Sequence, residues 1–354
     1  MEMLIYQIEH LAGKWLEFMV ASSVQLGLFL LLIIAITAVF KNQSARFLYW
    51  IWLIGLLKIF VPPNIKLPAF LLHSKFVLDN NIPMLFIPEI QLANTTAPGL
   101  SYQGYLFLLW VIIIALLFAF WIYKLIRFRS HVTQLCHEIT GRIQLDRDMD
   151  MLNRVRFFTG PNIDMPFTKG LFAPKVFLPE SVLSWRRSEL IALIFHELAH
   201  IQRKDLLVIV IQNAMQLLYF FHPLVWLANI QISRYREKAC DDFAIHAMHG
   251  KSLEYGKLLL KSIDHAIGWK PIPSLSTQFH QSKKFLLNRF HYILNRKGNI
   301  MTKLKFSQKL ALIGLIIFGI ALSCQKQTLK ETKGTNEKPT RAIQEKPQAE
   351  KAKL

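Results

Sequence analysis

The sequence predicts a polytopic α-helical membrane protein of about four spans with an embedded cytosolic α+β domain. Three observations carry that expectation. Hydrophobic residues make up 53% of the 354 residues and the mean hydropathy is +0.30, more apolar than an ordinary soluble protein allows. Long apolar runs recur and are flanked by lysine and arginine. Between the third run and the last lies a charged region whose pattern alternates short strand-like segments with amphipathic helices.

The elements follow in chain order. Met1–Phe18 carries Glu2, Glu9 and Glu17, so it lacks the cationic start of a cleaved signal peptide and is expected to be retained. Residues 19–40 are apolar and long enough to cross about 30 Å of hydrocarbon. A basic link, Lys41–Arg46, leads to a shorter span at 47–61, with Tyr49, Trp50 and Trp52 as interfacial aromatics, Lys58 placed to snorkel, and Pro62-Pro63 as the stop. The stretch 62–104 mixes proline, asparagine and threonine with few lysines, which predicts an irregular loop outside the cytoplasm. Residues 105–123 contain no charge, and Lys124, Arg127 and Arg129 follow them. Those cations put Lys41–Arg46 and the following domain in the cytoplasm, and both termini outside. The expected organisation is therefore a membrane region at 1–126, a cytosolic domain at 127–306, a fourth span at 307–324 and a disordered extracytoplasmic tail at 325–354.

Charge and cysteine content narrow the function. The formal net charge is +19, but the basic residues cluster beside apolar runs, where anionic lipid accounts for them, so direct nucleic-acid binding is not expected. Cys136, Cys240 and Cys324 form no Cys-x-x-Cys pair and no disulfide framework. They read as buried thiols, with Cys240 a packing residue. Ala321-Leu-Ser-Cys324 also resembles the end of a lipoprotein signal, which makes Cys324 a candidate for lipid attachment.

Within the cytosolic region, residues 131–153 have a charged helical pattern, and Val155–Thr159 and Lys175–Leu178 look like strands of a small sheet. Met165–Pro179 suits either a sheet edge beside a cleft, where an extended peptide could add as a further strand, or a hairpin that covers the core. Next comes Ile191-Ala-Leu-Ile-Phe-His-Glu-Leu-Ala-His-Ile201. On a helix His196 and His200 share one face and can offer two imidazole nitrogens to one Zn²⁺, while Glu197 stands beside them to take a proton from water. With 12 histidines in the chain, such a pattern arises by chance only about 0.016 times.

A third ligand must come from elsewhere. Leu206–Phe221 and Leu224–Ile232 are apolar arms about His222-Pro223, a helical hairpin that either enters the inner leaflet or forms the domain's own core. A residue on the returning arm should come back beside the metal, and Glu237 is placed to do that, the alternative being a surface ion pair with Arg234 or Arg236. Asp241, one helical turn on, is expected to orient a ligating histidine. His222 and Tyr235 are candidate donors to a developing oxyanion, although turn capping and packing explain them at least as well.

His196-Glu-Leu-Ala-His200 with Arg203 and Asp205, Phe221-His-Pro-Leu-Val-Trp226, and Glu237-Lys-Ala-Cys-Asp241 together resemble the BlaR/MecR-type integral-membrane metallopeptidases of the glutamate-zincin (gluzincin) group. The resemblance extends over roughly residues 19–325. It implies an α+β gluzincin-type domain facing the cytoplasm of a bacterial inner membrane. Zinc would be held by His196, His200 and Glu237, with Glu197 as base and Asp205 joining Asp241 behind the histidines. It also implies a protein substrate, either the chain itself or a cytosolic transcriptional repressor, and an envelope partner as sensor. Antibiotic-sensing members carry a penicillin-binding domain after the last span. About 30 residues follow here without its Ser-x-x-Lys chemistry, so β-lactam sensing is not expected of this chain by itself.

Three other readings compete. A zinc-stabilised signalling scaffold would need no base, and Glu197 argues against it. A transporter with a chance motif does not account for the charged Glu237–Asp242 segment. A quality-control protease for membrane proteins would share the same chemistry.

Overall fold

The computed structural model describes residues 2–63, 65–66, 100–133, 135–143, 155–161, 163, 165–265, 283–295 and 303–325. Most of the expected outer loop, residues 144–153 and the tail beyond Gln325 lie outside these.

Helix α1, Glu2–Val39, runs on well before the apolar stretch expected at 19–40. Its 38 residues reach about 57 Å at ~1.5 Å per residue, more than a bilayer core requires. Helix α2, Ala45–Leu57, is started by Ser44, whose hydroxyl accepts from the Phe47 N–H. Helix α3 spans Tyr102–Thr133. Among the described residues, α1 and the Tyr102–Phe128 part of α3 are long and apolar enough to cross a membrane.

The expected spans at 47–61 and 307–324 are shorter helices. After α2 comes one 3-10 turn, Lys58–Phe60, and α9, Phe306–Ala321, has 16 residues. Tyr49, Trp52 and Lys58 are buried because α2 is wrapped by its neighbours, whereas Trp50 is exposed. Lys58 is buried and donates to Ser323 Oγ at 2.6 Å and Gln25 Oε1 at 3.3 Å instead of snorkelling. Strand β1, Ile65–Lys66, pairs in parallel with Cys324–Gln325 (the last strand, β6), so the segment just after α2 is joined to the end of α9.

The intervening domain begins with a four-stranded mixed sheet. Its strands are β2 (His137–Glu138), β3 (Arg156–Gly160), β4 (Phe167–Lys169) and β5 (Lys175–Pro179), in the order β2-β3-β5-β4. The helical pattern expected through 131–153 thus gives way to a strand at 137–138. β3 and β5 are parallel, while β2 and β4 add antiparallel on either side. The β4–β5 turn depends on Gly170 at φ +99°, where a Cβ would strike the Ala173 carbonyl.

Four helices complete the domain: α4 (Arg187–Gln202), α5 (Asp205–Leu218), α6 (Pro223–Ala247) and α7 (Ser252–His265), with α8 (Lys283–Leu294) before α9. The sheet packs Val176 and Leu178 against Ile194 and Leu198 of α4. The α5–α6 hairpin enters the core formed by α1 and α2: Val208, Met215, Val225, Ala228 and Ile232 join Leu26, Leu30, Leu48, Trp52 and Leu56. Trp110 of α3 donates to the Leu218 carbonyl at 3.2 Å near the hairpin tip. Leu207, Val210, Phe221, Trp226 and Ile230 stay exposed, so the hairpin presents apolar surface outward as well as inward.

Candidate active site

Helix α4 carries the His-Glu-x-x-His segment with its functional side chains inward, and His196, Glu197 and His200 are all buried. The helix stops at Arg203. Lys204 then adopts a left-handed conformation, φ 56° and ψ 39°, and reverses the chain so that Asp205 opens α5 directly behind His200. The hairpin's outgoing arm is therefore a separate helix and not a continuation of the zinc-type helix, since a lysine gives no sequence signal for that bend.

Helix α6 returns beside α4 and brings Glu237 between the two imidazoles. His196 Nε2 lies 3.6 Å from Glu237 Oε2, and His200 Nε2 lies 3.9 Å from Glu237 Oε1. The opposite ring nitrogens are backed by carboxylates: His200 Nδ1 is 2.8 Å from Asp205 Oδ2, and His196 Nδ1 is 3.3 Å from Asp241 Oδ1. Each Nδ1–H then has an acceptor, and each Nε2 is left aimed at Glu237.

Three further residues complete the constellation, and no spacing rule points to them. The Tyr255 hydroxyl on α7 donates to Asp241 Oδ1 at 2.8 Å and lies 3.0 Å from His196 Nδ1. Arg289 on α8, 48 residues from Asp241, donates to its two oxygens at 3.0 and 2.6 Å, and its Nη1 stands 3.3 Å from Glu237 Oε2. Thr168, on the edge strand β4, donates to Glu197 Oε2 at 2.9 Å. Only α7 and α8, remote in sequence, can supply the first two.

Two proposed residues are not brought here. His222 sits at the hairpin turn with its Nε2 3.2 Å from the Ser23 carbonyl of α1, and the fifteen-residue climb along α6 to Glu237 is about 22 Å. Tyr235 precedes Glu237 by two residues, about 200° around the helix, and Lys238 lies over its ring. Cys240, expected only to pack, touches the site: its Sγ is 3.4 Å from His200 Nδ1 and 3.7 Å from Asp205 Oδ2.

The electrostatics suit a cation. Burial opposes the charged form of His196, but its hydrogen bonds to Asp241 and Glu237 prevail and raise its pKa to about 9. Burial likewise works against ionised Glu237, yet His196, His200 and Arg289 bring it down to about 2. Asp241 and Asp205 are also shifted down despite burial, chiefly by Arg289 and Arg203 respectively.

Two groups of described side chains converge closely enough to share a metal: His196, His200 and Glu237, and His200, Asp205 and Cys240. The first fits better. Glu237 Oε1 is buried without a hydrogen-bond partner, an oxygen whose charge a cation would satisfy. In the second, Asp205 already accepts from His200, and burial pushes the Cys240 thiol well above its ordinary pKa, which leaves it a poor ligand.

Two histidines and a returning glutamate, with a second glutamate beside them, are the donor set of a metallopeptidase centre. Residues 17–293 match the family described as BlaR1 peptidase M56, and the chain belongs to that family. It is similar to the Regulatory protein BlaR1 of Bacillus licheniformis, 28% identical over 183 residues, which is 50% of this chain and 30% of that protein. Methicillin resistance mecR1 proteins of Staphylococcus aureus and Staphylococcus epidermidis are 26% identical over 102 residues, 28% of this chain and 17% of theirs. The chain thus matches less than a third of the length of these relatives.

Proposed function

We propose that the chain is a membrane-embedded zinc endopeptidase of signal transduction that cleaves itself, a cytosolic transcriptional repressor, or both in response to an envelope signal. The observation that carries this reading is the convergence of His196 Nε2 and His200 Nε2 on Glu237, with a carboxylate behind each ring. Zinc held by these three residues would polarise the scissile carbonyl and lower the pKa of an attacking water.

The chain's own residues divide the remaining work. Glu197 accepts the water proton and delivers it to the leaving amine, and Thr168 fixes one of its oxygens for that transfer. Asp205 and Asp241 keep the Nδ1 protons in place, so the Nε2 lone pairs face inward. Arg289 holds Asp241 by two hydrogen bonds and balances the charge of the buried carboxylates. An extended peptide pairing with the outer edge of β4 would pass directly beside Glu197, which favours the sheet-edge reading of Met165–Pro179 over a mere cover.

The membrane reading has four spans, with α2 and α9 crossing as short helices packed on α1, and the peptidase domain on the cytoplasmic side. The hairpin's burial against α1 and α2 supports a metal centre at the membrane–cytosol boundary. Comparison of peptides from cells with wild type and with Glu197→Gln tests the proposal. A fragment of the chain or of a regulator made only by the wild type is expected, and identical fragment sets contradict it.

A further inference from the structure

Helices α6 and α8 enclose a cavity of ≈ 420 Å³ walled by Arg234, Tyr235 and Lys238 from one side and Asn288, Arg289 and Tyr292 from the other. Among the described residues that line it, three are cations and none is a carboxylate. The charge of Arg289 is already balanced by Asp241 and Glu237. Arg234 and Lys238 have no acidic partner within ion-pair distance among the described residues, and Arg234 Nε is buried without an acceptor. Lys238 Nζ instead lies over the rings of Tyr235 and Tyr292, 5.5 and 4.9 Å from their centroids. The flanks of α8 supply no remedy, since residues 265–330 contain neither aspartate nor glutamate. Arg234 and Lys238 are half-buried, so a partner for their charge is favoured, and an arginine beside a lysine is suited to phosphate oxygens.

A row of side chains leads into this cavity. Trp226, Ile230, Arg234 and Lys238 succeed one another at four-residue intervals along one ridge of α6. Trp226 and Ile230 are each 46% exposed. The row runs from the hairpin tip, packed against α1 and α3, toward the metal site, so apolar surface gives way to positive charge as it does at a membrane interface.

We infer that the α6–α8 cavity binds the phosphate headgroup of an anionic phospholipid, with an acyl chain along Trp226 and Ile230. The inference rests on the membrane setting proposed above and not on peptidase activity. A phosphate there stands beside Arg289, the same guanidinium that holds Asp241 and Glu237, so headgroup occupancy and the metal centre share one wall.

The test uses full-length protein in nanodiscs of phosphatidylcholine mixed with phosphatidylglycerol, released into detergent and weighed intact by native mass spectrometry. Wild type should retain phosphatidylglycerol in preference to phosphatidylcholine. Arg234→Gln combined with Lys238→Gln should reduce that preference roughly tenfold or more, whereas the charge-keeping pair Arg234→Lys with Lys238→Arg should preserve it. Trp226→Ser should weaken lipid retention and leave any binding of inorganic phosphate unchanged. Zinc content, measured on every variant, separates a pocket defect from damage to the metal centre. Equal retention of both lipids, or an undiminished preference in the double glutamine variant, overturns the inference. So does displacement by inorganic phosphate with no contribution from Trp226, which would make the cavity a site for soluble anions.

Discussion

The Tyr49 hydroxyl on α2 lies 3.4 Å from Asp205 Oδ1, and the other oxygen of that carboxylate holds His200 Nδ1 at 2.8 Å. A helix of the apolar bundle therefore touches the group that orients a proposed metal ligand, with Arg203 stacked over the same tyrosine ring at 4.3 Å. Movement of α2 can reach His200 through a single side chain.

Asp205→Asn keeps the shape and removes the charge that fixes the His200 ring. Zinc affinity should fall about 10–100-fold, the usual effect of losing such a partner. Tyr49→Phe should leave zinc content unchanged and alter only the response to the activating signal. Competition with a chelating dye measures the first, and unchanged affinity in Asp205→Asn would deny the carboxylate its role.

Glu197→Gln removes the base without removing a ligand. Bound zinc should stay near one per chain, while cleavage drops by about 10²–10⁴. Loss of both His196 and His200 to alanine should remove the metal as well. Zinc analysis beside a cleavage assay distinguishes the two classes, and full activity in Glu197→Gln would move the chemistry elsewhere.

Protein stripped of metal by a chelator should be sensitive to pH. His196, raised from 6.5 to about 9, contributes stability that is complete below about 6.5 and is lost as pH rises through 9. Glu237, lowered from 4.5 to about 2, contributes above 4.5 and fails as pH falls toward 2. For this pair the metal-free protein is most stable between those limits. Zinc held by His196, His200 and Glu237 would take the place of that proton's charge, so the loaded protein should keep its melting temperature on the alkaline side. Thermal melts of chelated and zinc-loaded protein across this range provide the check, and a flat alkaline limb in the chelated sample would refute it.

Arg289→Met strands the buried carboxylates of Asp241 and Glu237. The metal-free protein should lose about 3–5 kcal/mol, as when one member of a buried ion pair is removed. Added zinc should restore part of the loss because it supplies positive charge at Glu237. Chemical unfolding with and without zinc measures both, and a variant as stable as wild type would mean that Arg289 is not needed for charge balance.

A cysteine introduced at the exposed Lys251 position should resist impermeant thiol reagents in intact cells and react after the membrane is opened. Labelling in intact cells would invert the proposed orientation and exclude a cytosolic substrate.

Much of the fold was legible because it depends on local pattern. The apolar runs announced α1 and α3, the three-to-four-residue periodicity announced α4, and Pro223 marked the start of α6. Helical spacing alone put His196 and His200 on one face, and the return of the hairpin pointed to Glu237, whose carboxylate lies 3.6 Å from His196 Nε2 and 3.9 Å from His200 Nε2. What sequence could not decide were the contacts made across long separations. Tyr255 and Arg289 reach Asp241 only because α7 and α8 fold back over α6, and Thr168 meets Glu197 only because β4 is the sheet edge beside α4. The left-handed turn at Lys204 has no glycine to announce it, yet it places Asp205 behind His200. Of the two roles open for His222 and Tyr235, donor or structural residue, the fold favours the second, since a helix carries one about 22 Å along its axis from Glu237 and turns the other to the opposite face. Periodicity determines which side chains share a face. Only packing of the elements determines which faces meet.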